Sequence, residues 1–162
     1  MTAKDAIKRA FDTNYWVLNQ YLSDLSDADL LVRPVPGANH IAWQLGHLIV
    51  SEVRLMNEVP GPKPELPAGF EAQHSKETAG AEPAKGFKTK AEYLALLGKV
   101  RESTLARLAA LPDADLDRPS NGPVAQFAPT LGAVFMLTAN HQLMHAGQFT
   151  VVRRKLGKPV VF

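Results

Sequence analysis

Two histidines, His141 and His145, stand four residues apart in a long segment with apolar residues at helical spacing. The same face of that segment carries Leu131, Val134, Phe135, Thr138, Phe149 and Val152. Because residues i and i+4 lie on one side of a helix, both imidazoles could reach a common point. Imidazole is the commonest neutral metal ligand, and divalent zinc, nickel or copper would suit such a pair. Histidines that only fill a core boundary fit the same spacing, so the pair alone leaves both interpretations open.

The residue after His141 argues against one familiar chemistry. Zinc proteases also carry two histidines at this spacing, with a glutamate beside the first histidine as general base. Here that position holds Gln142, whose amide is not a useful proton acceptor. Gln148 is neutral as well, and the chain contains no glycine-rich phosphate loop or paired-carboxylate motif. The sequence therefore identifies no catalytic residue.

A third histidine, His47, lies in a second segment with helical periodicity, on or beside its apolar stripe. That stripe consists of Ile41, Leu45, Leu48 and Leu55. Gly46 precedes His47 and costs a helix interior about 1 kcal/mol relative to alanine, so we expect a neighbouring backbone to approach closely there. His47 is the natural candidate for a third ligand, although a boundary histidine with hydrogen-bond partners fits this pattern equally well.

Length and composition restrict the class of protein. The 162 residues predict one domain, residues 1–162, with enough chain to bury a full core. No cysteine is present, which excludes disulfides, thiolate metal sites and a cysteine nucleophile. The sequence shows neither a signal peptide nor a membrane-spanning stretch, so we predict a cytoplasmic protein without a membrane partner. The net charge of +2 indicates no nucleic-acid partner.

Four segments have the periodicity of amphipathic helices. They run approximately from Thr2 to Leu25, from His40 to Glu58, from Thr89 to Leu111 and from Thr130 to Gly157. We expect Asn39 to cap the second helix, and Thr89 with Glu92 to form a capping box for the third.

The second and third helices are separated by a long proline-rich segment, from about Val59 to Phe87. A loop of this length needs a reason in a compact domain. It could return the chain along the second helix, so that the second and third helices run parallel, or it could form the wall of a site. We predict that His74, within this segment, is solvated.

Two motifs resemble the DinB-like superfamily, which includes bacterial low-molecular-weight-thiol transferases and mycothiol-dependent isomerases. They are the nine residues from His40 to Leu48 and the six from Asn140 to His145. The resemblance covers about residues 5–157. It implies an all-α four-helix bundle of up-down-down-up topology, with the long crossover between the second and third helices. It also implies one divalent metal held by three histidines, which by motif are His47, His141 and His145. His40 lies outside that ligand set, and we assign it to the cap region.

The resemblance also implies a function. In the family's enzymes a small thiol such as bacillithiol or mycothiol serves as nucleophile, activated by a metal, which would explain thiol chemistry in a cysteine-free chain. The expected cofactors are zinc or nickel and a thiol, and the expected partners are an electrophile and a second copy of the chain. The alternative is a metal-binding, dimeric, stress-related domain that is not an enzyme. A pocket large enough for a thiol beside the metal would favour the transferase.

Overall fold

The computed structural model describes residues 1–82 and 84–161, and this part of the chain is helical with no strand. Its five α-helices are α1 (Ala3–Leu22), α2 (Ile41–Leu55), α3 (Phe70–Gln73), α4 (Lys90–Ala110) and α5 (Leu131–Lys155). The prediction of an all-α fold is confirmed. Four of the five helices correspond to the four predicted segments, whereas the up-down-down-up order stays a prediction.

Side-chain caps explain where the long helices begin. Thr2 and Thr89 each form a capping box, with Asp5 and Glu92 respectively, as the sequence predicted for Thr89. The prediction for α2 was wrong, because His40 and not Asn39 is its cap. The Nδ1 atom of His40 accepts a hydrogen bond from the Trp43 amide at 3.1 Å. An imidazole nitrogen thus accepts the capping hydrogen bond that a serine, threonine, aspartate or asparagine side chain usually accepts.

The two helices that carry the candidate ligands are in direct contact. Helix α5 packs against α1 and α2, and α2 also packs against α4. One buried cluster includes Ile41, Leu45, Leu48, Tyr93 and Phe149. A second includes Phe11, Leu108, Val134 and Phe135. Side chains on α2 and α5 are therefore positioned by closely packed elements and not by loops.

The segment between α2 and α4 is partly helical. It contains α3 and a 3-10 turn at Lys76–Thr78. The predicted solvation of His74 was wrong, since the side chain is only 1% exposed. Its Nδ1 lies 2.8 Å from the Phe70 carbonyl oxygen, and its Nε2 lies 2.8 Å from the Tyr93 hydroxyl. The proline-rich composition predicted an irregular segment, but it could not show that the side chain of His74 is buried in the core.

Gly46 is the place where this segment meets α2. A Cβ atom on Gly46 would lie 2.0 Å from Cδ2 of His74, so the glycine leaves the space that the imidazole occupies. The predicted close approach is real, but the approaching group is a side chain and not a backbone.

We find no helix in residues 1–82 and 84–161 with the length and apolar character needed to cross a lipid bilayer.

Candidate metal centre

The structure brings together the three histidines that the motifs singled out. One ring nitrogen from each of His47, His141 and His145 lies within 4.8 Å of the other two. The Nε2 atoms of His141 and His145 are 3.2 Å apart, and the ring centroid of His47 lies 5.3 Å from each of their centroids. Helices α2 and α5 thus form a three-histidine group that could hold a metal.

A glutamine orients His145. The Oε1 atom of Gln44 lies 2.8 Å from Nδ1 of His145, while its Nε2 donates to the Asn39 carbonyl oxygen at 2.9 Å. The second bond fixes the amide so that Oε1 faces the imidazole, and Nδ1 must then carry the proton. The lone pair of His145 is left on Nε2, the atom nearest His141. Sequence reasoning missed Gln44, although a polar residue three positions before His47 was a usable signal.

The ring of His47 is held from two sides. Trp43 stacks on it, with centroids 4.9 Å apart and planes 11° from parallel. The Ser51 hydroxyl lies 3.4 Å from its Nε2. Because Trp43, His47 and Ser51 follow one another at intervals of four residues, one face of α2 supplies all three side chains.

Burial keeps these imidazoles neutral. It lowers the pKa of His141 to about 4 and that of His145 to about 3, and the neighbouring histidines add to both shifts. The pKa of His47 is also lowered, by burial first and then by the positive charges of Lys76 and Arg54. Near neutral pH the three rings are therefore in the form that binds metals. Because the folded pKa values lie below the ordinary 6.5, His141 and His145 do not change the free energy of unfolding above that pH, where they are neutral in both states, and lower it as the pH falls from 6.5 towards 4.

The donor set fits a divalent transition metal. Three neutral imidazoles suit zinc and nickel, and a three-ligand set leaves at least one coordination position for another molecule, as in catalytic sites. The Nε2 atoms of His145 and His141 lie 3.2 Å apart, and the lone pair of His145 is on this Nε2. A cation bound to both nitrogens would stabilise this arrangement.

The three-histidine group opens on a cleft of about 720 Å³. His47 and His141 line it, whereas His145 lies deeper, with 7% of its surface exposed. The remaining lining residues are Ser51, Arg54, Leu55, Asn57, Glu58, Lys76, Pro123, Val124 and Leu137. The cleft therefore joins the candidate metal position to an apolar surface and to two basic side chains.

Glu58, the one carboxylate that lines this cleft in residues 1–82 and 84–161, already has hydrogen-bond partners. Both Glu58 oxygens accept from the Ser120 hydroxyl at 3.1 Å, and Oε2 also accepts from the Asn121 amide at 2.6 Å. These bonds connect the 3-10 turn after α2, Met56–Glu58, to the loop before α5. We therefore assign Glu58 a structural role and not that of a general base.

Glu52 is a buried carboxyl group of α2 that was missed in the sequence. It is 2% exposed, and its Oε2 accepts from Nε2 of Gln142 at 3.2 Å. Among the described residues, its Oε1 has no hydrogen-bond partner. Burial raises the pKa of Glu52 to about 7. The signal was present, because Glu52 continues the stripe of Leu45, Leu48 and Leu55 at helical spacing.

Replacing Glu52 with glutamine should stabilise the protein at alkaline pH. The carboxyl pKa rises from 4.5 to about 7 on folding, so the wild-type protein loses stability as the pH rises through this interval. Above it, Glu52→Gln should unfold with a free energy about 2–3 kcal/mol larger than that of wild type. Urea unfolding at about pH 4.5 and pH 8 measures the difference. A difference that is equal at both pH values would show that Glu52 is not a proton-binding group of the folded state.

Comparison with known proteins identifies relatives of this fold. The family model of the DinB superfamily matches residues 10–149. No curated protein matches the sequence significantly. Among solved structures, the crystal structure of a conserved protein from Enterococcus faecalis is similar, with a TM-score of 0.69 and 15% sequence identity. The match covers 98% of this chain and 99% of the other. At that identity the likeness concerns the fold alone.

Proposed function

Because this chain belongs to the DinB superfamily, and because three histidines meet beside a cleft, we propose that it is a metal-dependent transferase of a low-molecular-weight thiol. His47, His141 and His145 would hold one zinc or nickel ion. The observation that carries the proposal is the opening of the three-histidine group on a cleft of about 720 Å³, which is room for a small-molecule ligand.

A bound divalent metal would supply Lewis acidity, lowering the pKa of a thiol so that its thiolate is available near neutral pH. The chain's own residues supply the rest. Gln44 fixes the tautomer of His145, Trp43 holds the ring of His47, and Leu55 and Leu137 give the cleft an apolar lining. The reaction breaks the S–H bond of the thiol and forms an S–C bond to the electrophile. The proton leaves with the departing group or adds to the neighbouring carbon.

The cleft favours the transferase over the alternative, a metal-binding domain without activity. A site for storage or structure is normally closed by protein ligands, whereas an open position beside a cleft is typical of catalytic sites. The alternative is supported by one observation. Among the described residues, Glu58 is the only carboxylate that lines the cleft, and it is already bound by Ser120 and Asn121. In the transferase the metal therefore has to activate the thiol without a side-chain base.

The proposed reaction can be tested with the metal-loaded protein. We expect it to accelerate conjugation of bacillithiol or mycothiol to an electrophile such as an activated alkene or aryl halide, above the rate given by free metal. His145→Ala, which removes the buried ligand, is the matched control and should show only the background rate. Full metal occupancy with no acceleration by any thiol in the panel would support the domain without activity.

The same family membership suggests the arrangement of the bundle. We propose that residues 1–162 form one domain in which α1, α2, α4 and α5 are arranged up-down-down-up. The contact of α1 with α5, the contact of α2 with α4 and the long segment between α2 and α4 support this arrangement.

We also propose a homodimer, formed through the outer face of α5. This face carries exposed large apolar side chains at helical spacing, namely Met136, Leu143, Met144 and Val151. An exposed apolar face of this kind is typical of an interface between subunits. Light scattering should give the mass of two chains for wild type and of one chain for Leu143→Glu combined with Met144→Glu. A wild-type mass of one chain would refute the dimer.

A further inference from the structure

The cleft is lined by histidines, by apolar side chains and by two basic side chains, and this combination indicates one class of ligand. We propose that Arg54 and Lys76 form an anion-binding subsite, so that the thiol or electrophile accepted by this protein carries a carboxylate or similar acidic group on an apolar stem. The inference rests on the proposed function, because it takes the three-histidine group as the reactive end of the cleft.

Arg54 shares one face of α2 with a candidate metal ligand. His47, Ser51 and Arg54 follow at i, i+4 and i+7, and all three line the cleft. Seven residues correspond to about 10 Å along a helix axis. The guanidinium is therefore placed some distance from the histidines, and a ligand that contacts both ends must span several bonds.

Lys76 comes from a different segment of the chain and is held by an anchored turn. It begins the 3-10 turn Lys76–Thr78. The Thr78 hydroxyl donates to the Gln73 carbonyl oxygen at 2.8 Å, and the indole Nε1 of Trp43 donates to that hydroxyl at 3.4 Å. The neighbouring His74 is buried and bonded to Tyr93. The backbone that carries Lys76 is thereby fixed against α2, whereas its side chain stays exposed at the cleft.

The acidic residues nearby do not neutralise this pair from within the cleft. Glu58, the acid that lines it, is occupied by Ser120 and Asn121. Glu71 pairs with Arg54 at 3.1 Å, but both side chains are more than half exposed, and such surface pairs contribute little. Glu77, next to Lys76, is exposed and lies outside the cleft lining, but its charge interacts with both Lys76 and Arg54. An incoming carboxylate therefore has to compete with Glu71 for Arg54 and with Glu77 for both cations, and exposed pairs of this kind are weak enough to be exchanged.

The cleft also has an apolar lining. Leu55, Val124 and Leu137 line the cleft, and uncharged carbon chains bind favourably to such a surface. The histidines, the apolar side chains and the two cations together complement a thiol, an alkyl or aryl stem and an acidic group.

Binding of a matched pair of thiols to the cobalt-loaded protein tests the subsite. The probes are 6-mercaptohexanoate and 6-mercaptohexanol, which share a chain of about six carbons and differ in the acidic group. Visible absorption of the cobalt centre reports binding without any need for turnover. We expect the acid to bind about tenfold more tightly than the alcohol. Added salt should reduce that ratio, because the two cations are solvent-exposed.

Variants separate the subsite from the metal site. Arg54→Ala combined with Lys76→Ala should lower the affinity for the acid to that for the alcohol, with cobalt uptake and alcohol binding unchanged. Lys63→Ala is the matched control, because this exposed lysine of the same segment does not line the cleft. Equal affinities of the wild-type protein for the two thiols would overturn the subsite and leave the proposed function intact. Failure to take up cobalt, or to bind either thiol, would overturn both.

Discussion

Replacing His145 with alanine should lower the affinity for zinc by more than about 100-fold, measured by competition with a chromophoric chelator. His145 is the most buried of the three histidines, and its Nε2 lies 3.2 Å from that of His141. Loss of a residue that merely supports a ligand costs about 10–100-fold in metal affinity, and loss of a ligand must cost more. His47→Ala and His141→Ala should behave in the same way.

Two further variants should lower the zinc affinity less than His145→Ala does. Gln44→Leu, which removes the acceptor for Nδ1 of His145, should fall in the range of about 10–100-fold. His40→Asn is the matched control, because asparagine can replace the imidazole as the cap of α2 and His40 lies outside the three-histidine group. Equal zinc affinities for His145→Ala and His40→Asn would show that these histidines do not act as a ligand set.

Replacing Gly46 with alanine should destabilise the fold by about 2–4 kcal/mol, although alanine is the better helix former. The new Cβ would lie 2.0 Å from Cδ2 and 2.2 Å from Nε2 of His74. The ring has no room to retreat, because it is buried and bonded to the Phe70 carbonyl oxygen and the Tyr93 hydroxyl. Overpacking costs about 1–3 kcal/mol, and the loss of buried hydrogen bonds adds a similar amount. Urea unfolding measures the change.

The chain offers a matched control on α5. A Cβ on Gly147 would meet no atom within 4 Å, so Gly147→Ala should be neutral or stabilising by up to about 1 kcal/mol. His74→Ala, added to the Gly46→Ala variant, should restore part of the lost stability, because it removes the colliding ring. A Gly46→Ala protein as stable as wild type would mean that His74 does not occupy this space.

Much of the fold was predictable because apolar periodicity and caps are local signals. The four long helices, the Thr89–Glu92 capping box and the all-α class follow from them. Contacts between distant segments were not predictable in the same way. Nothing in the proline-rich composition indicates that His74 leaves solvent to bond Tyr93. The cap of α2 was assigned to Asn39 because asparagine is a preferred cap, whereas His40, which the sequence placed in the cap region, is the residue that caps the helix.

The three histidines of the candidate site could be predicted from the sequence, but the residues that bond and surround them could not. The i, i+4 spacing places His141 and His145 together on any helix, but only the packing of α2 on α5 brings His47 to them. Gln44 and Glu52 were overlooked because single polar residues in an apolar stripe do not reveal their partners. Their roles become visible only in the folded protein, where Gln44 bonds His145 and Glu52 bonds Gln142, both on α5.

The central claim is that the three histidines hold a metal ion, and metal content tests it most directly. The protein should be purified without a histidine tag or chelator and analysed by elemental mass spectrometry, before and after incubation with zinc or nickel. We predict about one equivalent per chain, because three imidazoles with an open position bind a single divalent ion. Less than about a tenth of an equivalent, with no uptake of either metal, would contradict the claim and leave the histidines as buried polar residues of the bundle.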